Sequence, residues 1–323
     1  MFNVIVKKFG NPEVLIYQRG ISEKVPPHSV KIRVKSIGVN FADLLIIKGK
    51  YQERPRPPFS PGLEISGTIS ELGSKVSTFK IGDRVMSVMK FGGYKTEVIV
   101  PEENTYLVPE KMSLLEAGGF PVIYGTAYSA LISKAKLRAD ETCVILGATG
   151  GVGMAAIQIA KAFNSTVIAC GGDDAKLKVC KSNGADLVLN YNNEIIRKQL
   201  KRLGVNEVDV VIDMVGGQTC IDLIKSLRWN GRLIIVGFTS GIIPEIPANR
   251  LLLKNAGVEG LYWGELAYRK PKEIGNDFKA LANLFNQNKL RPSINKVFKL
   301  KDATKALNYL ADRKNVGKIV LEC

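Results

Sequence analysis

Apolar and polar positions along the 323-residue chain follow two regimes. From the start to about residue 110, short runs of period-two alternation are broken by glycine and proline: NVIVKKF, VKIRVKSIGV, EISGTISELG, DRVMSVM and KTEVIVP. Such alternation marks half-buried strands, so this stretch predicts a mostly β, barrel-like unit. Pro55–Gly62, PRPPFSPG, is too rich in proline for regular structure and predicts a surface loop.

PVIYGTAYSALISKA predicts a helix, and the pattern then changes. ETCVILG, STVIACG, DLVLNY, VDVVIDMVG and RLIIVGF are apolar without alternation. Between them lie segments of helical length, among them DAKLKVCKSNGA, NEIIRKQLKRLG and GQTCIDLIKSLRWNG, each with a glycine near its end as a stop. Continuous apolar strands alternating with helices predict a parallel sheet covered on both faces. From Lys272 the order is helix, strand (SINKVFKL), short helix and last strand (GKIVLEC). That tail does not continue the alternation and can return to the first unit.

Length alone suggests about two domains. With 46% hydrophobic and 24% charged residues, the composition is that of an ordinary globular protein. No apolar run approaches the roughly 18 residues of a membrane helix. MFNVIVKKFG reads as a strand, not a signal or transit peptide. The expectation is a cytoplasmic protein, or a mitochondrial one if a presequence is missing. The odd set Cys143, Cys170, Cys180, Cys220 and Cys323 contains no CxxC, which fits free thiols in a reducing compartment. The net charge of +16 raises nucleic acid or an acidic membrane as a partner. However, the clusters Lys31/Arg33/Lys35, Lys134/Lys136/Arg138, Arg197/Lys198/Lys201/Arg202 and Lys296/Lys299/Lys301 show no nucleic-acid motif or interleaved aromatics. A solvated basic surface is the simpler reading, and it would also favour an anionic cofactor. The single histidine, His28, rules out a multi-histidine metal site and argues against a Ser/His/Asp triad.

The chemistry-bearing stretch is strand, then GATGGVG, then helix. Gly147, Gly150 and Gly153 are spaced G-x-x-G-x-x-G, with Thr149, Gly151 and Val152 between them. Glycines there permit a tight turn and close backbone approach to a pyrophosphate at the positive helix N-terminus. A ribose-binding acid is expected about 20 residues on, but that strand end reads ACGGDDAK. Gly171 and Gly172 leave room for a 2′-phosphate, which Lys176 and Tyr191 would bind. Asp173 would repel that phosphate, or serve only as a helix N-cap. The balance favours NADP(H) over NAD(H). Asn40 and Asp43, three apart at a helix start, are either a cap with an acid in the first turn or site residues. Tyr51 downstream is a candidate general acid, slow at an ordinary pKa near 10.

These residues, with GVNFADLL, PGLEISGTISELGSKV, GDRVM, GADLVLNY, VIDMVGG and GKIVLE, carry a full-length resemblance. The chain resembles the zinc-free quinone oxidoreductase branch of the medium-chain dehydrogenase/reductase superfamily. The resemblance implies an α/β fold, with a GroES-like β-barrel domain (1–123 and 268–323) and a Rossmann doubly wound parallel-sheet domain (124–267). Zinc-dependent members place a Cys where Asn40 stands, a His where Leu63 stands, and a four-cysteine lobe near residues 88–105, which here hold no Cys. The resemblance therefore implies no zinc. It places Asn40, Asp43 and Tyr51 at the cleft facing the nicotinamide. It brings Thr126 and the VGF segment around Gly237 and Phe238 to the nicotinamide, and Lys176, Tyr191 and Arg313 to the adenosine phosphate. The family usually has Ser at Asp173. The implied activity is NADPH-dependent reduction of quinones or α,β-unsaturated carbonyls by a homodimer pairing the edge at GVEGLYWG. The alternative is a catalytically weak NADP(H)-binding regulatory or RNA-binding protein of the same fold.

Overall fold

The computed structural model describes residues 1–323. Two compact units are formed, Met1–Ile123 with Gly264–Asn286 and Pro292–Cys323, and Tyr124–Trp263 with Gln287–Arg291.

The first unit is built on a seven-stranded sheet. The long strand Ser29–Val39 pairs antiparallel with Glu64–Leu72, Glu97–Pro101 and the C-terminal Lys318–Glu322. Its alternation sorts the side chains: Val30, Ile32 and Val34 enter the core, while Arg33 and Lys35 point out. Lys31 and Lys35 pair with Glu71 and Glu322, so this basic cluster is the solvated face of a strand. The register sets Ile319 opposite Val39. Lys318 therefore arrives beside Asn40, the residue after Val39.

Two differences from the sequence reading concern this unit. Only the start of Pro55–Gly62 behaves as a surface loop; Phe59 to Gly62 are buried. Phe59 exchanges backbone hydrogen bonds with Val6 and packs in the barrel core, because burial of the aromatic ring draws the segment inward. The Lys296 cluster does carry aromatics: its Nζ lies 5.3 Å from the Phe298 ring and 4.8 Å from that of Tyr309.

The second unit holds six parallel strands. Across the sheet they run Leu187–Asn190, Thr166–Gly171, Thr142–Leu146, Val208–Asp213, Leu227–Ile235 and Gly257–Gly260. This is the doubly wound order, reversing between Thr142–Leu146 and Val208–Asp213. The strands are buried on both faces by helices such as Gly151–Ala162, Asp174–Ser182 and Gly217–Ile224. One helix ends earlier than its sequence pattern: Leu227–Ile235 is all strand, including Arg228–Gly231. Asn230 takes φ +63° and the pairing register slips beside it, so Asn-Gly makes a bulge rather than a helix stop. No helix is long and apolar enough to cross a membrane.

Candidate functional site

The glycine turn begins where the buried strand Thr142–Leu146 ends. Gly147 has φ +79°, a conformation that favours glycine. The Gly147 and Ala148 N–H groups donate to the Cys170 carbonyl at 3.1 and 3.0 Å, and Gly150 N–H returns to Gly147 O at 3.2 Å. The helix Gly151–Ala162 follows, capped by Gly150 without any side-chain hydrogen bond. A Cβ on Gly153 would stand 2.5 Å from Ala148 Cα, so glycine alone allows helix and turn to touch. A Cβ on Gly150 would meet nothing nearer than Gly147 O at 3.5 Å; its outer side is open. The first-turn N–H groups of Gly151, Val152 and Gly153 have no intrahelical acceptor. This is an uncapped positive end, suited to an anion.

The carboxyl ends of the neighbouring strands gather most of the other candidates. Tyr191 N–H donates to Gly171 O at 3.1 Å, and a Cβ on Gly172 would lie 3.0 Å from the Tyr191 ring. Thr149 Cγ2 would lie 3.0 Å from a Cβ on Gly171. Asp173 is the N-cap of Asp174–Ser182 and accepts from Lys176 N–H at 3.0 Å. Gly237 N–H donates to Asp213 O at 3.3 Å, and Phe238 packs against Gly216. Thr126 is buried in the helix Pro121–Tyr128. Arg313 belongs to the other unit, exposed, at φ +54° just beyond the helix Ala303–Ala311.

Sequence reasoning missed Asp213. Its buried Oδ1 accepts from Val215 N–H at 2.7 Å and Gly216 N–H at 2.9 Å, shaping the turn beside Gly147. Burial pushes its carboxyl upward against those bonds. An acid closing an apolar strand just before Gly-Gly was the available signal.

In the barrel unit, the strand Ser29–Val39 runs into the helix Phe41–Ile47 through Asn40. Asp43 reaches back and accepts Asn40 N–H at 2.8 Å. It also accepts Gly62 N–H at 3.0 Å and the Tyr94 hydroxyl at 3.3 Å. Asp43 is fully buried, and that burial raises its carboxyl to about 7, opposed by the Asn40 and Gly62 donors and the Lys318 charge. The Asn40 side chain turns elsewhere. Its Nδ2 donates to Glu64 Oε1 at 3.0 Å, and its Oδ1 accepts from Lys318 Nζ at 2.5 Å. Lys318 also bridges Glu64 at 2.6 Å, with both side chains buried. Tyr51 packs, partly buried, against the barrel core. Lys318, Glu64 and Tyr94 had no site role in the sequence reading; a lysine heading an apolar strand was a signal for one of them, but its partners lie far along the chain.

These groups do not fit a zinc ion. An ammonium and an amide stand against Glu64, Leu63 offers no donor, and no group of three His, Cys, Asp or Glu side chains comes together to hold a metal.

Residues 26–110 match the alcohol dehydrogenase GroES-like domain family, and 151–286 the zinc-binding dehydrogenase family. The quinone oxidoreductase-like protein 2 of Bos taurus is 38% identical over 95% of this chain and 88% of its own. The quinone oxidoreductase of Sus scrofa is 33% identical over 99% and 97%. The Escherichia coli quinone oxidoreductase, solved in complex with NADPH, superposes with a TM-score of 0.92 at 27% identity, covering 100% of both chains. The doubly wound sheet, the barrel and these matches together make the chain a member of the quinone oxidoreductase branch of the medium-chain dehydrogenase/reductase superfamily, and an oxidoreductase.

Proposed function

We propose that this oxidoreductase is an NADPH-dependent, zinc-independent reductase of quinones or α,β-unsaturated carbonyls. The observation that carries the reading is the uncapped helix start at Gly151, open above Gly150 and placed at the switch point of the parallel sheet. Gly151, Val152 and Gly153 would hold the pyrophosphate through their open N–H groups, with Gly147, Thr149 and Gly150 shaping the turn beside it. Lys176 and Tyr191 would hold a 2′-phosphate beside Gly171 and Gly172, with Arg313 contributing a further charge. The Asp173 carboxylate is engaged with its own helix, which blunts its repulsion. Thr126, Gly237 and Phe238 would line the nicotinamide. A bound nicotinamide supplies the hydride.

The remaining work belongs to the chain. Asn40, held by Glu64 and Lys318, is an oriented amide at a helix start. Asp43 fixes that start from within. An electrophilic acceptor needs no Lewis acid, and its reduced product can take a proton from water, with Tyr51 as candidate donor. The reading also includes a homodimer. The strand Gly257–Gly260 pairs on one side only, and Leu252 and Leu253 nearby are 79% and 74% exposed; unpaired edges and apolar exposure favour self-association.

The test is NADPH oxidation across a panel of quinones and enones, with added zinc and chelator as controls. Acceleration by an acceptor, insensitive to chelator, is expected. No acceleration, together with salt-dependent RNA binding, would overturn the reading.

A further inference from the structure

Glu64 opens the strand Glu64–Leu72 with no solvent exposure. A buried carboxylate persists only where its lone pairs are met. Its two oxygens are divided between two tasks. Oε1 takes Lys318 Nζ at 2.6 Å and Asn40 Nδ2 at 3.0 Å, while Oε2 takes the backbone N–H of Val122 at 2.7 Å.

Each task orients something. The Asn40 amide has one sensible setting, oxygen to the ammonium and nitrogen to the carboxylate. Flipping it would set donor against donor and acceptor against acceptor. Val122 is the second residue of the helix Pro121–Tyr128, and Pro121 brings no N–H. Oε2 therefore meets the first donor of that helix, at its positive end. The same helix carries Thr126. The backbone leaves room for the pair: a Cβ on Gly38 would collide with the Glu64 carboxylate, and one on Gly119 would stand 2.8 Å from Lys318 Cγ.

We infer that Glu64 is a positioning residue for hydride transfer: one buried carboxylate, with Lys318 as counter-ion, sets both the Asn40 amide and the start of the helix bearing Thr126. This rests on the proposed reading of Asn40 and Thr126 as nicotinamide-facing. The inference goes beyond it by assigning the link between the two.

Glu64→Gln keeps the shape. Its amide oxygen can still serve Lys318 and Asn40, but its NH2 then faces Val122 N–H. Expected are about tenfold faster hydrogen exchange at the Val122 amide and about tenfold lower kcat, while NADPH affinity by fluorescence titration stays within about threefold. Asn40→Ala should lower kcat and leave Val122 exchange unchanged, and combining it with Glu64→Gln should cost less than the product of the single losses. Unchanged Val122 exchange in Glu64→Gln, or independent losses in the double variant, would overturn the inference. If Glu64→Gln does not fold, Lys318→Arg takes its place, since a guanidinium can span both acceptors. Val122 protection and kcat that are retained together or lost together then support the inference, and a loss of one without the other overturns it. If the parent protein reduces no quinone or enone, the functional reading fails by itself, while Val122 exchange still judges the link.

Discussion

The helix Phe41–Ile47 in the barrel unit and the helix Gly151–Ala162 in the parallel-sheet unit each follow closely on a strand, and their first turns end differently. At the first, Asp43 folds back onto Asn40 N–H and Gly62 N–H, so the positive end is closed by the protein's own carboxylate. At the second, Gly150 has no side chain to offer, and the first-turn amides stay open. A third start, at Asp174, is closed by Asp173 through Lys176 N–H. A helix end met by its own acid is architecture, whereas one left bare beside a glycine with free space above it is ready for an external anion.

The sharpest way to break this contrast is to force the glycine turn away from the helix whose start it leaves open. Gly153→Val drives side-chain atoms into Ala148 and Gly147. We expect NADPH affinity to fall about a hundredfold and stability by about 2 kcal/mol, read by fluorescence titration and chemical denaturation.

The closed end should respond to pH instead. The Asp43 carboxyl rises from 3.8 to about 7 in the folded chain, mainly by burial. Between those values the folded state holds a proton that the unfolded chain has released. The contribution of Asp43 to stability is therefore complete below the lower value and is lost as pH rises through about 7, at up to about 1.4 kcal/mol per pH unit. Asp43→Asn should flatten that slope in urea midpoints measured between pH 5 and 8. A slope unchanged by the substitution would show that another group carries it.

Smaller effects test the adenosine end. Lys176→Ala should reduce the preference for NADPH over NADH about tenfold, as loss of one charge-assisted contact. Asp173→Ser keeps an N-cap oxygen, so stability should hold within a few tenths of a kcal/mol while Asp173→Ala loses about 1 kcal/mol. NADPH preference in Asp173→Ser should rise only about twofold, because an exposed, screened carboxylate repels weakly. A much larger rise would show that Asp173 faces the phosphate and is more than a cap.

Local signals made much of this legible. GATGGVG between an apolar strand and a helix declares its turn, because only glycine accepts the φ of Gly147 or the contact at Gly153. Alternation in VKIRVKSIGV declares which side chains enter the barrel. The Asn230–Gly231 bulge was not legible, since Asn-Gly serves a helix stop or a strand bulge equally until neighbouring strands pair. Nor was the burial of Phe59, which depends on pairing with Val6, more than fifty positions away along the chain.

By itself, then, the sequence determined the periodicities and the glycine turn, since each is written in contiguous residues. Only the tertiary structure decided the cluster of Asn40, Glu64 and Lys318. Antiparallel pairing of the last strand with Ser29–Val39 carries a lysine 278 positions along the chain to the Asn40 amide. Burial then gives that meeting its weight, because a charge removed from water must find its partner wherever the register has placed it.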